Sequence, residues 1–220
     1  MVGFHDYEEF KAQFYKLSQI DLNSYKEKQM KRRITSFAEK HGFSTFLSFL
    51  EELRVNKELR DVFIGYLTIN VSEFYRNPAQ WQIFEKKILP LAFSMKKRPE
   101  DVKIWSSACS TGEEPYTVVM ILSKFMPLDR IRVLASDIDH DAMEKAKKGI
   151  YPDRNVRELP PEFLEKYFTK LDKDMYAISD NIKKCVEFRH LNLLKDPFPK
   201  DQDIILCRNV LIYFTEEAKD

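Results

Sequence analysis

The run Val102-Lys103-Ile104-Trp105-Ser106-Ser107-Ala108-Cys109-Ser110-Thr111-Gly112-Glu113-Glu114-Pro115-Tyr116 constrains this chain more than any other stretch. Apolar and polar residues alternate from Val102 to Trp105, as in a strand entering a core. From Tyr116 through Val119, Met120 and Ile121 to Phe125 the residues stay apolar at helical spacing. The turn between is made of small residues, with Gly112 free to take positive φ. Ser110 and Glu113 stand three apart, as in a capping box, which predicts the helix start here. A strand that passes through a tight turn into a helix suits a nucleotide-like ligand. Helix-start amides attract anions, but Glu113 and Glu114 repel them, so a ligand with hydroxyls and a positive charge is expected rather than a phosphate.

Upstream, the spacing predicts helices. Tyr7, Phe10, Phe14 and Leu17 mark one over 6–18, with Asp6 and Glu9 at its start. A second begins at Ser24, carries Met30, Ile34 and Phe37 inward, and ends near Gly42. Lys28, Lys31 and Arg32, with Arg33 close by, form a cationic strip on another face. Such a strip is either a solvated helix face or a docking surface for an acidic partner. Ser44 caps a third helix and Asn56 a fourth, completing a small bundle. The segment Thr68 to Asn77 then holds Asn70, Ser72 and Arg76 among aromatics, and Pro78 suits the first position of a helix capped by Asn77. That helix is expected to stop at Pro90. The organisation read from the chain is therefore a helical region over 1–77, a helix and linker over 78–101, and an α/β region over 102–220.

In the last region strands alternate with helices, which predicts a parallel sheet with crossover helices. The strand from Ile131 ends in Asp137, about 25 residues past Gly112, close to the ~20-residue spacing at which an acid on the next strand reaches ribose hydroxyls. Asp139 or Asp141 can cap the helix that follows. Residues 150–191, punctuated by Pro152, Pro160 and Pro161, read as a small antiparallel excursion that includes Met175–Ile178 and Val186–His190. Asn192 and Leu193 lie at the end of the returning strand, and Arg208 to Tyr213 follow the strand Asp203–Cys207. Open α/β sheets bind ligands at these carboxyl ends.

The 36 basic and 35 acidic residues nearly cancel, so global charge makes no case for nucleic acid or membrane. Cys109, Cys185 and Cys207 sit in or beside apolar runs rather than at C-x-x-C spacing, which fits a reduced, cytoplasmic compartment. No run approaches the ~20 apolar residues of a membrane helix.

Five blocks, taken together and in order, resemble the CheR family, chemotaxis receptor methyltransferases that use S-adenosylmethionine to methylate receptor glutamates. They are Asn70-x-Ser72-x-x-x-Arg76, the block at 108–116 ending Ser-Thr-Gly-Glu-Glu-Pro-Tyr, Ala135-Ser136-Asp137-Ile138-Asp139, Asn192-Leu193-Leu194, and Cys207-Arg208-Asn209-Val210-x-Ile212-Tyr213-Phe214. The resemblance spans nearly the whole chain. It implies an α/β fold in which an all-α bundle precedes a Rossmann-like methyltransferase sheet with a small antiparallel β-subdomain. By the same resemblance, Asn70, Ser72, Arg76, Ala108, Glu114, Asp137, Asn192, Leu193, Arg208 and Asn209 line the pocket for S-adenosylmethionine and its product S-adenosylhomocysteine. Arg76 and Tyr213 lie nearest the transferred methyl. The helical region faces the receptors' cytoplasmic helical bundle through Lys28, Lys31, Arg32 and Arg33. Some members grip a receptor tail peptide with a glycine-rich loop. The segment 168–175 has no glycine, so that tether is not expected here. Members of the family continue past the Tyr213 block, so the sequence reads as a fragment whose last strands lie beyond Asp220, and its activity alone is a separate question.

A glutamate side chain, with a reference pKa near ~4.3, is already ionised at neutral pH and needs no general base for methylation. The absence of a Ser-His-acid or Cys-His set agrees with that chemistry. His5, His41, His140 and His190 fall outside the blocks, and no cluster has metal-ligand spacing. Two other readings remain open from the residues: a methyltransferase acting on RNA or a small molecule, and a non-enzymatic adaptor that binds S-adenosylmethionine.

Overall fold

A computed structural model describes residues 6–68, 72–172 and 174–220. The chain divides into two compact units, one made of residues 1–69 with Asn209–Asp220, the other of Asn70–Arg208. The first contains α1 (Tyr7–Ser18), α2 (Glu27–Lys40), α3 (Phe46–Val55) and α4 (Lys57–Leu67). Apolar residues three and four apart give each helix one inward face, and Phe10, Phe14, Phe37, Phe46, Phe49 and Phe63 meet in the centre. Phe49 and Phe63 pack edge to face at 4.8 Å.

Two of the expected helix starts shift by a few residues. Ser24 lies in a short 3-10 turn capped by Asp21, whose carboxylate accepts from Asn23 N at 2.9 Å, so α2 begins only at Glu27. Thr45 rather than Ser44 caps α3, because its extended backbone aims Oγ1 at Ser48 N, 3.1 Å away. Asn56 caps α4 through Leu59 N at 3.0 Å. Asp6 makes no side-chain cap on α1. Residues 209–220 pack with this unit. Lys26 N donates to Tyr213 O and Thr215 N to Ser24 O, both at 2.9 Å, and the Tyr25 and Phe214 rings meet at 5.3 Å.

In the second unit, α5 (Pro78–Ile83) and α6 (Leu89–Ser94) form one continuous run through a π turn at Phe84–Ile88. The expected stop at Pro90 does not occur. The wider turn lets Leu89 N donate to Phe84 O, five residues back, and the helix restarts with Pro90 in its first turn, where no N–H is needed. The strands are β1 (Ile104–Ser106), β2 (Val133–Asp137), β3 (Ile150–Pro152), β4 (Phe168–Leu171), β5 (Met175–Ile178), β6 (Val186–His190) and β7 (Ile204–Leu206). Helices α7 (Glu113–Leu122), α8 (His140–Lys148) and α9 (Asp153–Val156) interleave with them.

The main sheet is parallel with order β6-β2-β1-β7, and β3, β5 and β4 form a separate antiparallel sheet. Val186–His190, grouped from sequence with the antiparallel excursion, instead runs parallel to β2 with Ala135 opposite Phe188. Val186 and Phe188 pack against Cys109, Ala135 and Met143, which holds this strand to the main sheet. Chain order runs from β1 outward to β6, then returns to the other side of β1 at β7. The order therefore reverses between β1 and β7, the position where open sheets of this kind leave a crevice at the strands' carboxyl ends.

Candidate functional site

The loop after β1 is tied to both neighbouring strands. Ser107 N donates to Leu206 O and Cys109 N to Ser136 O, both at 2.9 Å. Ser110 N donates to Asp137 Oδ2 at 2.7 Å while Asp139 N donates to Oδ1 at 2.9 Å. Asp137 thus stands at the end of β2 with each oxygen held by a backbone amide, its second lone pairs being the acceptors left for ligand hydroxyls. Asp139 caps α8 through Asp141 N and Ala142 N.

The turn takes Ser110 to φ 48° and Gly112 to φ 92°, the left-handed region. A Cβ on Gly112 would lie 2.8 Å from the Ala146 Cβ, so no larger residue fits. The expected Ser110–Glu113 capping box is absent, since Gly112 itself occupies the cap position without a side chain. Thr111 Oγ1 donates to Glu113 Oε2 at 2.6 Å in its place.

Glu114 faces the other side of the turn. Ser106 Oγ donates to its Oε1 at 2.7 Å and Arg208 Nη1 to its Oε2 at 3.4 Å. Arg208, at the end of β7, also donates from Nη2 to Arg76 O at 2.7 Å and to Gln80 Oε1 at 3.0 Å, and its guanidinium lies 4.7 Å from the centre of the Trp81 ring. One arginine therefore braces a carboxylate of α7 and the backbone at Arg76. The residues on either side of Arg76 are left-handed, Tyr75 at φ 57° and Asn77 at φ 61°, a conformation uncommon for a residue such as tyrosine.

Burial raises the pKa of Glu114, offset in part by Ser106, Arg208 and Arg76. Burial likewise raises Asp137, offset by the amides of Asp139 and Ser110, and raises Glu113, offset by Thr111, Asn155 and Ser72. Of these, Glu113 is enclosed by its own hydrogen-bond partners, whereas Glu114 and Asp137 stand at the carboxyl ends of the strands, where a cationic ligand with hydroxyls would suit them. Carboxylates, hydroxyls and amides of this kind are a donor set that fits S-adenosylmethionine, whose groups are a nucleoside, an amino acid and a sulfonium.

Of the residues expected from sequence, Ala108 and Glu114 follow β1, Asp137 ends β2, Asn192 and Leu193 follow β6, and Arg208 follows β7. Asn192 shapes its own loop: its Oδ1 accepts from Leu194 N at 2.9 Å and its N donates to Asp196 Oδ2 at 2.8 Å. Leu191 N, donating to Asp137 O at 3.0 Å, ties that loop to β2. Ser72 and Arg76 belong to the same unit, and Asn70 lies outside the described residues. Asn209, left-handed at φ 60°, and Tyr213 are in the helical unit.

The cationic strip is divided. Lys28 and Arg32 are exposed, Lys31 extends over the Tyr7 ring, and Arg33 turns inward to the Tyr66 carbonyl and ring. Asn155 and the full role of Glu113 were not visible in the sequence, because they depend on contacts between segments far apart in the chain. Among the described residues no group of three or more His, Cys, Asp or Glu gathers as a metal would require, and no helix is long and apolar enough to cross a membrane.

A parallel sheet with a reversed strand order, a glycine turn into a buried helix and an acid at the end of the second strand define the class of nucleoside-binding α/β domains that includes methyltransferases. Comparison with known proteins narrows the class. Residues 70–220 match the profile described as CheR methyltransferase, SAM binding domain, and residues 5–68 match the CheR methyltransferase all-alpha domain. The chain is 40% identical over 201 residues to a chemotaxis protein methyltransferase of Listeria monocytogenes, covering 91% of this chain and 75% of that protein. It is 34% identical over 212 residues to one from Borreliella burgdorferi, with the same coverage, and 32% over 214 residues to one from Escherichia coli, covering 93% and 72%. The chain belongs to the CheR methyltransferase family. It is an S-adenosylmethionine-dependent methyltransferase with the all-α and α/β architecture expected from its sequence.

Proposed function

We propose that this protein methylates glutamate side chains on the cytoplasmic helical bundle of chemoreceptors, in the cytoplasm, with its pocket formed by Ser72, Arg76, Ala108, Glu114, Asp137, Asn192, Leu193 and Arg208. The observation that carries the reading is the bracing of Glu114 and the Arg76 backbone by one arginine, Arg208, at the reversal point of the sheet. For Asn70, Asn209 and Tyr213 the motifs alone support a part in binding or transfer.

Asp137 accepts ribose hydroxyls, and Glu114 balances the positive charge of the ligand. When bound, S-adenosylmethionine supplies a methyl group on a positively charged sulfur, which passes to a carboxylate oxygen as the carbon–sulfur bond breaks. Arg76 orients the acceptor carboxylate through paired N–H donors. The acceptor is already ionised, so the enzyme's task is alignment and charge stabilisation rather than proton removal. The helical region 1–77 serves receptor docking, with Lys28 and Arg32 presenting charge to acidic receptor residues.

The test is a single-turnover reaction with methyl-labelled S-adenosylmethionine and a receptor cytoplasmic fragment. A carboxyl methyl ester releases its label as methanol in base. Base-labile label on the fragment is the expected result. Binding of S-adenosylhomocysteine without any transfer would make the protein an adaptor, and label on RNA in a parallel reaction would change the substrate class.

A further inference from the structure

Glu113 is fully enclosed, and its partners are polar groups rather than a cation. Thr111 Oγ1 and Asn155 Nδ2 each donate to it at 2.6 Å, and the Ser72 hydroxyl adds a further hydrogen bond. A carboxylate accepts and cannot donate, which fixes the Asn155 amide nitrogen toward it. The same nitrogen donates to Ser72 O at 3.3 Å, and Asn155 O accepts from Phe74 N at 2.8 Å. Tyr75 N donates to Thr117 Oγ1 at 3.2 Å, and that hydroxyl donates to Glu113 O at 2.7 Å. The segment leading to Arg76 is therefore held at Ser72, Phe74 and Tyr75 by groups that converge on Glu113 and Asn155. Asn155 comes from α9, which follows directly on β3 of the small antiparallel sheet. Tyr151 on that strand holds the same turn, its OH donating to Thr111 O at 2.8 Å.

We propose that Asn155 is a positioning residue for methyl transfer: its side chain links Ser72 O to the buried Glu113 carboxylate, which fixes the backbone carbonyl that holds Phe74 N and so sets the direction in which Arg76 is presented. The proposal rests on the role given above to Arg76. Asn155 touches no reacting atom. Its effect passes through the backbone of the segment, and displacing a reacting group by about 1 Å can slow a reaction by about 10²-fold.

The test uses Asn155→Asp, which replaces the donor with a second carboxylate set against Glu113. At neutral pH its kcat with a receptor fragment should fall by about 10²-fold. It should recover toward acidic pH as the pair takes up a proton, and the amide of Phe74, held by the Asn155 carbonyl, should lose hydrogen-exchange protection. The paired exchange Glu113→Gln with Asn155→Asp again sets one amide against one carboxylate but does not replace the donor to Ser72 O, so it should recover part of the turnover. Should Asn155→Asp not fold, Asn155→Ala removes the donor without adding charge and carries the same comparison. Unchanged turnover in either single variant overturns the proposal, as does a folded paired variant no faster than Asn155→Asp. Arg76→Ala, assayed alongside, separates the two levels. Full turnover there removes the Arg76 reading, whereas an inactive Arg76→Ala beside a fully active Asn155→Asp removes only the role of Asn155.

Discussion

In the helical unit, the centre is made of phenylalanines in contact with one another, and Lys11, paired with Glu8 at 2.7 Å, is the one buried polar or charged residue among those described. In the sheet unit, Ser106, Ser107, Glu113, Thr117, Ser136, Asp137 and Asp139 are buried. Six of the seven lie at the carboxyl ends of β1 and β2 or on the first turns that follow them, and Thr117 stands one turn further along α7. Burying polar groups is unfavourable unless each finds a partner, so a cluster at one end of a sheet is not a by-product of making a core. The dry unit has been shaped by packing. The polar end of the other is arranged as a ligand site would be, with burial raising the pKa of Glu114 and Asp137 there.

The contrast can be broken by substitutions on either side. Phe49→Ala, at the centre of the aromatic cluster, should lower stability by about 3–5 kcal/mol in a denaturant titration. It should leave the affinity for S-adenosylhomocysteine unchanged under conditions where the protein stays folded. Loss of that affinity in the folded variant would mean that the two regions are not separable in this way. Arg76→Ala should show the reverse pattern, with stability preserved and turnover lower by about 10²–10³-fold, while ligand binding is weakened but measurable.

The pH dependence sharpens the same contrast. Glu113, Glu114 and Asp137 all have pKa values raised by burial, so in the empty protein their contribution to stability is present below their unfolded values and is lost as pH rises through the folded ones. A cationic ligand prefers the ionised groups. The thermal shift produced by S-adenosylmethionine should therefore be larger at about pH 8 than at about pH 5. An equal shift at both would show that Glu114 does not face the positive charge. A smaller effect is expected on the surface. Lys28→Glu with Arg32→Glu should raise the KM for a receptor fragment by a few-fold and leave cofactor affinity alone. Arg33→Glu should instead destabilise the helical unit, because that guanidinium is committed to Tyr66.

Much of the polar end was legible in the sequence because its signals are local. The alternation before Trp105, the glycine at 112 and the acid at 137 each follow from spacing within one segment and its neighbour. The bundle was legible for the same reason, through apolar residues recurring at helical intervals. Pro90 misled because a proline normally ends a helix, and nothing in the sequence marks a five-residue turn that accommodates it. Val186–His190 alternates as any strand does, and its partner is chosen by what Val186 and Phe188 touch rather than by its own pattern. Asn155 lies outside every recognisable motif, and its contacts reach 42 and 83 residues along the chain. Arg33 differs from Arg32 only by rotation around the helix, which sends one guanidinium to solvent and the other to Tyr66.

Calorimetric titration of S-adenosylhomocysteine into the unaltered chain and into Asp137→Asn tests most directly whether the buried polar end is the binding site. The account predicts one site per chain, with the variant weaker by about tenfold or more, since a hydrogen bond to a charged group is worth about 1.5–3 kcal/mol and each 1.4 kcal/mol is a factor of about ten. Equal affinity in the two proteins, with the variant folded, would contradict it.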